Sequence, residues 1–74
     1  MNRQYVASSS IASAGYERAT ATLEIEFVGG AVYQYDDVPF CIFQALLAAD
    51  SKGLFVNQHI RNVYRYTRKA ERNK

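Results

Sequence analysis

Alternation of apolar and polar residues predicts a strand over residues 22–27. This segment reads Thr-Leu-Glu-Ile-Glu-Phe, so Leu23, Ile25 and Phe27 fall on one face and polar side chains on the other. A period of two is typical of a strand with one buried face. A weaker alternation predicts an earlier strand over residues 10–16, in which Ile11 shares a face with Ser13 and Gly15.

A glycine pair follows the strongest strand and predicts a hairpin. Gly29-Gly30 tolerates the positive φ angles of a tight turn, and the residues after it, Val32 to Tyr35, are rich in strand formers. With a two-residue loop, Tyr33 and Tyr35 lie on the glutamate face. With a three-residue loop, both tyrosines join the apolar face, because a slip of one residue turns every side chain over. The two-residue loop is favoured.

Helical spacing replaces alternation in the second half of the chain. Apolar residues at helical intervals and Pro39 in a first turn predict a helix over Pro39–Ala49. Ser51 caps a second, shorter predicted helix over Ser51–Arg61, and residues 63–67 return to strand composition. The order β-β-β-α-α-β predicts an α+β fold, in which two short helices pack on one face of a small antiparallel sheet.

Length and composition predict one domain. The chain has 74 residues and ten aromatic side chains, enough for a single core. We expect a flexible segment over residues 1–9, the domain over 10–67 and a basic tail over 68–74. The single cysteine excludes an intrachain disulfide, and no segment has the apolar length of a signal peptide or a membrane span. These features predict a cytoplasmic protein that does not contact membranes.

Charge is distributed unevenly between the two parts of the chain. Residues 1–51 carry two basic and six acidic side chains, whereas residues 52–74 carry seven basic and one acidic. Such a division is typical of a protein that contacts nucleic acid, and also of a solvated surface with a basic tail.

Paired tyrosines are the sequence feature that points most directly to a function. Residues two apart in a strand point the same way, so Tyr33 with Tyr35 and Tyr64 with Tyr66 predict two aromatic platforms. Such platforms stack unpaired bases, while nearby arginines meet phosphates. The hypothesis is a non-enzymatic accessory domain that contacts single-stranded or tRNA-like RNA; a protein-interaction module or homodimer is the alternative. The candidate binding residues are Tyr33, Tyr35, Arg61, Tyr64, Arg65, Tyr66 and Arg68.

Catalytic and metal chemistry find little support in the sequence. His59 is the only histidine and Cys41 the only cysteine, too few for a structural zinc site. No nucleophile signature surrounds a serine, and so short a chain has little room for a substrate pocket. We expect His59 on a helix surface, Cys41 in the core, and no catalytic residue, cofactor, metal or small-molecule substrate.

Several short motifs occur in an order that resembles the KTSC domain. Together they span residues 6–67, and the Tyr33-Gln34-Tyr35 segment corresponds to the central YxY motif of that family. The other segments that carry the resemblance are Ser8–Tyr16, Leu23–Phe27, Val38-Pro39, Ser51–Gly53, Phe55, Asn57 and Ile60-Arg61.

The KTSC family takes its name from the C-terminus of some lysyl-tRNA synthetases and also occurs as free-standing small bacterial proteins. The resemblance therefore implies a stand-alone bacterial or phage member with no established activity, and it suggests RNA contact only by association. This chain has Val28-Gly29-Gly30-Ala31 where Lys-Asn-Gly-Gly is more typical. The hairpin tip is less basic as a result, which argues against phosphate binding there.

Overall fold

A computed structural model describes residues 3–5 and 10–71. Five antiparallel strands form one sheet in sequential order, and two helices lie between the fourth and fifth strands. The predicted α+β fold and the order of its last six elements are confirmed, with one strand added at the beginning. The elements are β1 (Arg3–Tyr5), β2 (Ile11–Glu17), β3 (Thr22–Phe27), β4 (Ala31–Tyr35), α1 (Phe40–Ala48), α2 (Lys52–His59) and β5 (Tyr66–Glu71).

The two ends of the predicted domain differ from the structure. Strand β1 pairs with β2, Arg3 opposite Gly15, inside the segment that was predicted to be flexible. Strand β5 continues to Glu71, so it includes the first four residues of the predicted tail. Residues 1, 2, 6–9 and 72–74 lie outside the described part of the chain. Both corrections have one cause, because neighbouring strands supply hydrogen bonds that weak local patterns do not reveal.

A β-bulge in β2 changes the predicted faces of that strand. The register against β3 shifts between Ile11 and Ser13. A bulge adds one residue to one strand, so Ile11 comes onto the same face as Ala14 instead of Ser13. Ile11 is thereby buried in the core, while Ser13 donates a hydrogen bond to Glu26 on the opposite face of the sheet.

The hairpin between β3 and β4 has the register predicted for a three-residue loop. Ile25 lies opposite Tyr33 and Leu23 opposite Tyr35, so the favoured two-residue loop is wrong. Gly29 and Gly30 have φ angles of 109° and 105°, which only glycine adopts readily. The observed register places both tyrosines on the apolar face, where the Tyr35 ring is removed from water and Tyr33 is half-buried.

Both helices begin close to the predicted residues. Pro39 precedes α1 as its N-cap, and the Ser51 side chain accepts a hydrogen bond from the Leu54 amide at the start of α2. Neither helix in the described part of the chain is long and apolar enough to cross a membrane.

The core lies between the two helices and one face of the sheet. On the sheet side, Leu23 and Ile25 are fully buried, as the alternation of β3 predicts. The residues that the segment before α1 and the two helices contribute are Val38, Phe43, Leu46, Val56 and Ile60.

Candidate nucleic-acid interface

Three tyrosines form one cluster on the helix-facing side of β4 and β5. The rings of Tyr33 and Tyr66 are stacked, with their centroids 5.2 Å apart and their planes 3° from parallel. Tyr35 lies directly opposite Tyr66 across the two strands, with ring centroids 5.8 Å apart. We call these three residues the tyrosine cluster. Two separate platforms were predicted, but β4–β5 pairing joins Tyr33 and Tyr35 of the first with Tyr66 of the second.

Tyr64 is not part of the tyrosine cluster. It precedes β5, its amide donates to the Ile60 carbonyl, and its half-buried side chain packs against the hydrophobic core. The prediction that Tyr64 and Tyr66 form a platform assumed an extended chain from residue 63 onwards. A turn after α2 takes the place of the first part of that strand.

Exposure differs sharply within the tyrosine cluster. Tyr35 is 1% exposed, whereas Tyr66 is 54% exposed and Tyr33 is intermediate. Burial raises the pKa of the Tyr35 hydroxyl to about 12, although the positive charge of Arg61 acts in the opposite direction. Tyr35 has no free ring face, so the prediction that it stacks a base is wrong. The accessible aromatic surface belongs to Tyr66 and, in part, to Tyr33.

A cleft of about 170 Å³ opens beside Tyr33. Phe27, Ala31, Tyr33 and Arg61 line it, and we call it the aromatic–arginine cleft. The Phe27 ring meets the Tyr33 ring edge to face, at a centroid distance of 5.6 Å. Sequence reasoning missed Phe27 and Ala31 as lining residues. The three-residue loop would have indicated Phe27, because that register puts it on the same face as Tyr33.

The three predicted arginines occupy different positions. Arg61 lines the aromatic–arginine cleft and donates a hydrogen bond to Asn57. Arg68 lies opposite Tyr33 on β5, with its Cζ atom 5.9 Å from the centre of the Tyr33 ring. The Arg65 carbonyl accepts from the Asp36 amide, and its side chain is exposed. The structure thus brings two of the three arginines to the tyrosine cluster.

Other candidate groups lie away from the tyrosine cluster. The exposed His59 ring packs against Phe55, with centroids 4.7 Å apart, as expected for a helix surface residue. Cys41 is exposed, so its predicted place in the core is wrong. Among the described residues, no three histidine, cysteine, aspartate or glutamate side chains are grouped in a way that would hold a metal ion.

Comparison with known proteins identifies the family. The KTSC domain model matches residues 7–64. A protein of unknown function from Stutzerimonas stutzeri is 46% identical over 92% of this chain and 97% of its own length. A lysine–tRNA ligase from Trichormus variabilis is 39% identical over 69% of this chain, which corresponds to 9% of the ligase. The crystal structure of a KTSC domain protein from Yersinia pestis has a TM-score of 0.90 and 36% identity, covering 93% of this chain and 97% of that one. This chain therefore belongs to the KTSC domain family.

Proposed function

We propose that this domain binds single-stranded RNA at the sheet edge formed by β4 and β5, without catalysing a reaction. The observation that carries the proposal is the stacked pair of Tyr33 and Tyr66, of which the outer residue, Tyr66, is 54% exposed. A tyrosine already held by another ring has lost its rotational freedom before a base arrives. A base that stacks on Tyr66 then pays little additional ordering entropy.

The charge beside the stacked pair suits a polyanion. Arg61 and Arg68 approach Tyr33 from two elements, and the exposed Arg65 and Lys69 belong to the same basic end of the chain. Lys69 is the extra residue where the register of β4 and β5 shifts. Arginine is a favourable partner for a nucleic acid because its planar guanidinium forms bidentate hydrogen bonds with phosphate and stacks on bases.

The relatives add support of a different kind. Lysine–tRNA ligases, whose substrate is an RNA, contain a segment similar to most of this chain. A domain that binds single-stranded RNA is useful both as part of such an enzyme and by itself. The lysine–tRNA ligases link the family to RNA by association, and the stacked rings of Tyr33 and Tyr66 supply the binding surface of the proposal.

A titration of the ¹⁵N-labelled protein with a short single-stranded RNA, and separately with bulk tRNA, tests the proposal. We expect amide shifts at Tyr33, Arg61, Tyr66 and Arg68 that weaken at high salt, because bound phosphates displace counterions from the protein–RNA complex. Shifts confined to Lys69 and the residues after it, or no shifts with either RNA, would overturn the proposal.

A matched pair of variants locates the site. Tyr66→Ala removes the exposed ring and should weaken RNA binding about 5- to 150-fold, since one base–aromatic stack contributes about 1–3 kcal/mol. Val63→Ala is the control, because Val63 is similarly exposed at 59% but precedes the strand. Equal affinities for the two variants would exclude Tyr66 as a stacking surface.

A protein-interaction module is the second candidate, and the position of β5 favours it. β5 is the last strand of the sheet, so one of its edges has no neighbouring strand within the described residues. The exposed Tyr66 begins this strand, and the exposed Val63 lies in the turn before it. Sedimentation at increasing protein concentration tests self-association through this edge. A monomer throughout would exclude the homodimer.

A further inference from the structure

We infer that Lys69 protects the outer edge of the sheet and keeps the domain monomeric, because it opposes the addition of another strand to β5. The outer edge is the side of β5 that faces away from β4, and within the described residues no strand lies beside it. This inference goes beyond the proposed RNA binding and does not depend on it. It concerns the strand pairing that the homodimer of the second candidate function would require.

The outer edge needs protection because of the length and composition of β5. The strand runs from Tyr66 to Glu71, and its 6 residues are an ordinary length for a strand inside a sheet. It begins with Tyr66 and Thr67, which both favour strands and are both exposed. An exposed strand of this length presents main-chain donors and acceptors with which a second chain can pair.

Lys69 interrupts the regularity of β5. Tyr33 lies opposite Arg68, and the next pair along the strands is Val32 with Ala70, so Lys69 has no counterpart on β4. Such a bulge bends its strand, increases the local twist and disturbs the alternation of main-chain groups along it. An incoming strand would therefore meet one regular segment on each side of the bulge, and neither is longer than three residues.

The charge of Lys69 opposes pairing with a second copy of the chain in particular. When a twofold antiparallel pair matches the whole of β5 with itself, Tyr66 lies opposite Glu71 and Arg68 lies opposite Lys69. The exposed Lys69 of each copy would thus face a positive side chain of the other. Like charges directly opposite each other destabilise a pair of strands, and lysine on an edge strand discourages such pairing.

Deleting Lys69 tests the inference, because the deletion removes both the extra residue and its charge. Sedimentation equilibrium measures self-association of the full chain, and we expect the unmodified protein to remain a monomer. The deletion variant should dimerise at concentrations about tenfold or more below the highest at which the unmodified protein is monomeric, since additional cross-strand pairs form. A folded deletion variant that sediments as a monomer throughout would overturn the inference, as would a dimer of the unmodified protein through β5.

Two substitutions separate the charge from the bulge. Lys69→Val keeps the extra residue but removes its charge, and we expect stronger self-association than in the unmodified protein. Arg65→Val is the matched control, because it removes one positive charge from an exposed residue just before the strand and should leave the protein monomeric. Lys69→Val also replaces the deletion if chemical-shift dispersion shows that the deletion variant is unfolded. Equal self-association of the two valine variants would show that the charge of Lys69 has no specific role at the edge, contrary to the inference.

Hydrogen exchange locates the contact in the dimer. Pairing through the outer edge should slow the exchange of main-chain amides in β5 and leave those of α1 unchanged. Slower exchange at α1 instead would place the contact on the helices and contradict the inference. RNA binding by the unmodified monomer is a separate measurement, so its absence would overturn the proposed function and leave the role of Lys69 standing.

Discussion

The hydroxyl of Tyr16 on β2 donates a hydrogen bond to the main-chain carbonyl of Val38, just before α1. Val38 is fully buried. The Tyr16 ring also stacks on the Phe43 ring, with their centroids 5.5 Å apart. One tyrosine thus fixes the point at which the chain leaves the sheet and enters the first helix.

Tyr16→Phe should reduce the free energy of unfolding by about 1–3 kcal/mol, because it leaves a buried carbonyl without a donor. Urea denaturation measures the difference. Tyr64→Phe removes the same atom from a half-buried tyrosine whose hydroxyl makes no hydrogen bond among the described residues. That control should change stability by no more than about 0.5 kcal/mol. Equal effects of the two substitutions would contradict a specific role for the Tyr16 hydroxyl.

Gly53 allows α2 to approach the beginning of β2. A Cβ atom at Gly53 would lie 2.9 Å from the Oγ and 3.1 Å from the Cβ of Ser10. Gly53→Ala gains up to about 1 kcal/mol in helix propensity, but relieving the contact should cost about 1–3 kcal/mol. We expect a net loss of stability in thermal or urea denaturation.

The double variant gives the decisive comparison for Gly53. In a Ser10→Gly background both close atoms are absent, so adding Gly53→Ala should stabilise the protein by about 0.5–1 kcal/mol. The sign of the Gly53→Ala effect therefore reverses between the two backgrounds. The same sign in both would show that the contact with Ser10 is unimportant.

Ala21 has a φ angle of 56° in the turn between β2 and β3. This left-handed conformation costs a residue with a Cβ atom roughly 1–2 kcal/mol. Ala21→Gly should therefore stabilise the domain by about 0.5–1 kcal/mol, after allowing for the greater entropy of glycine in the unfolded chain. Ala19→Gly in the same turn is the control and should be neutral or destabilising, since Ala19 has an ordinary backbone conformation. Stabilisation by both changes would contradict strain at Ala21.

Burial of Tyr35 predicts a loss of stability at high pH. Its pKa is about 12 in the folded protein, above the usual value of about 10, so the unfolded chain releases this proton first. The contribution of this proton to the free energy of unfolding is complete below pH 10 and decreases as the pH rises from 10 to 12. The pH dependence of the unfolding free energy should be shallower in Tyr35→Phe over this range. Parallel curves of unfolding free energy against pH for the two proteins would contradict a raised pKa of Tyr35.

Arg61 and Arg68 should each contribute one phosphate contact to the salt dependence of RNA binding. Replacing either by glutamine should reduce the slope of log K against log salt concentration by about 0.7, the value for a single-strand phosphate. Arg18→Gln is the control, because that guanidinium lies over Phe40 at 4.4 Å, away from the tyrosine cluster. A slope that is the same in all three variants would exclude both arginines as phosphate ligands.

Periodicity predicted those elements whose side chains divide cleanly into two classes. Leu23 and Ile25 alternate with glutamates, so β3 and its buried face follow from composition alone. Ser51 likewise caps α2 as predicted, because capping depends on a local side chain. Arg3–Tyr5 has no such pattern, and its strand depends on pairing with β2.

The candidate site could be predicted in its residue types but not in its arrangement. The sequence indicated Tyr33, Tyr66, Arg61 and Arg68, and the structure brings these four together. It did not indicate that Tyr35 is buried or that Tyr64 packs elsewhere. A shift of one residue in the register of the β3–β4 hairpin moves Tyr33 from one face of the sheet to the other. The local sequence permits both loop lengths, so it could not decide between the faces.

The sequence by itself determined the α+β class, the order of the last six elements, the family resemblance and the basic C-terminal end, because each depends on local periodicity, short motifs or composition. The tertiary structure alone decided that Tyr33 stacks on Tyr66, that the Tyr35 side chain is buried in the core, and that a cleft opens beside Phe27 and Ala31. Those relationships join residues far apart in the chain. They arise from strand register and bulges, where a shift of one residue exchanges the buried face for the exposed one.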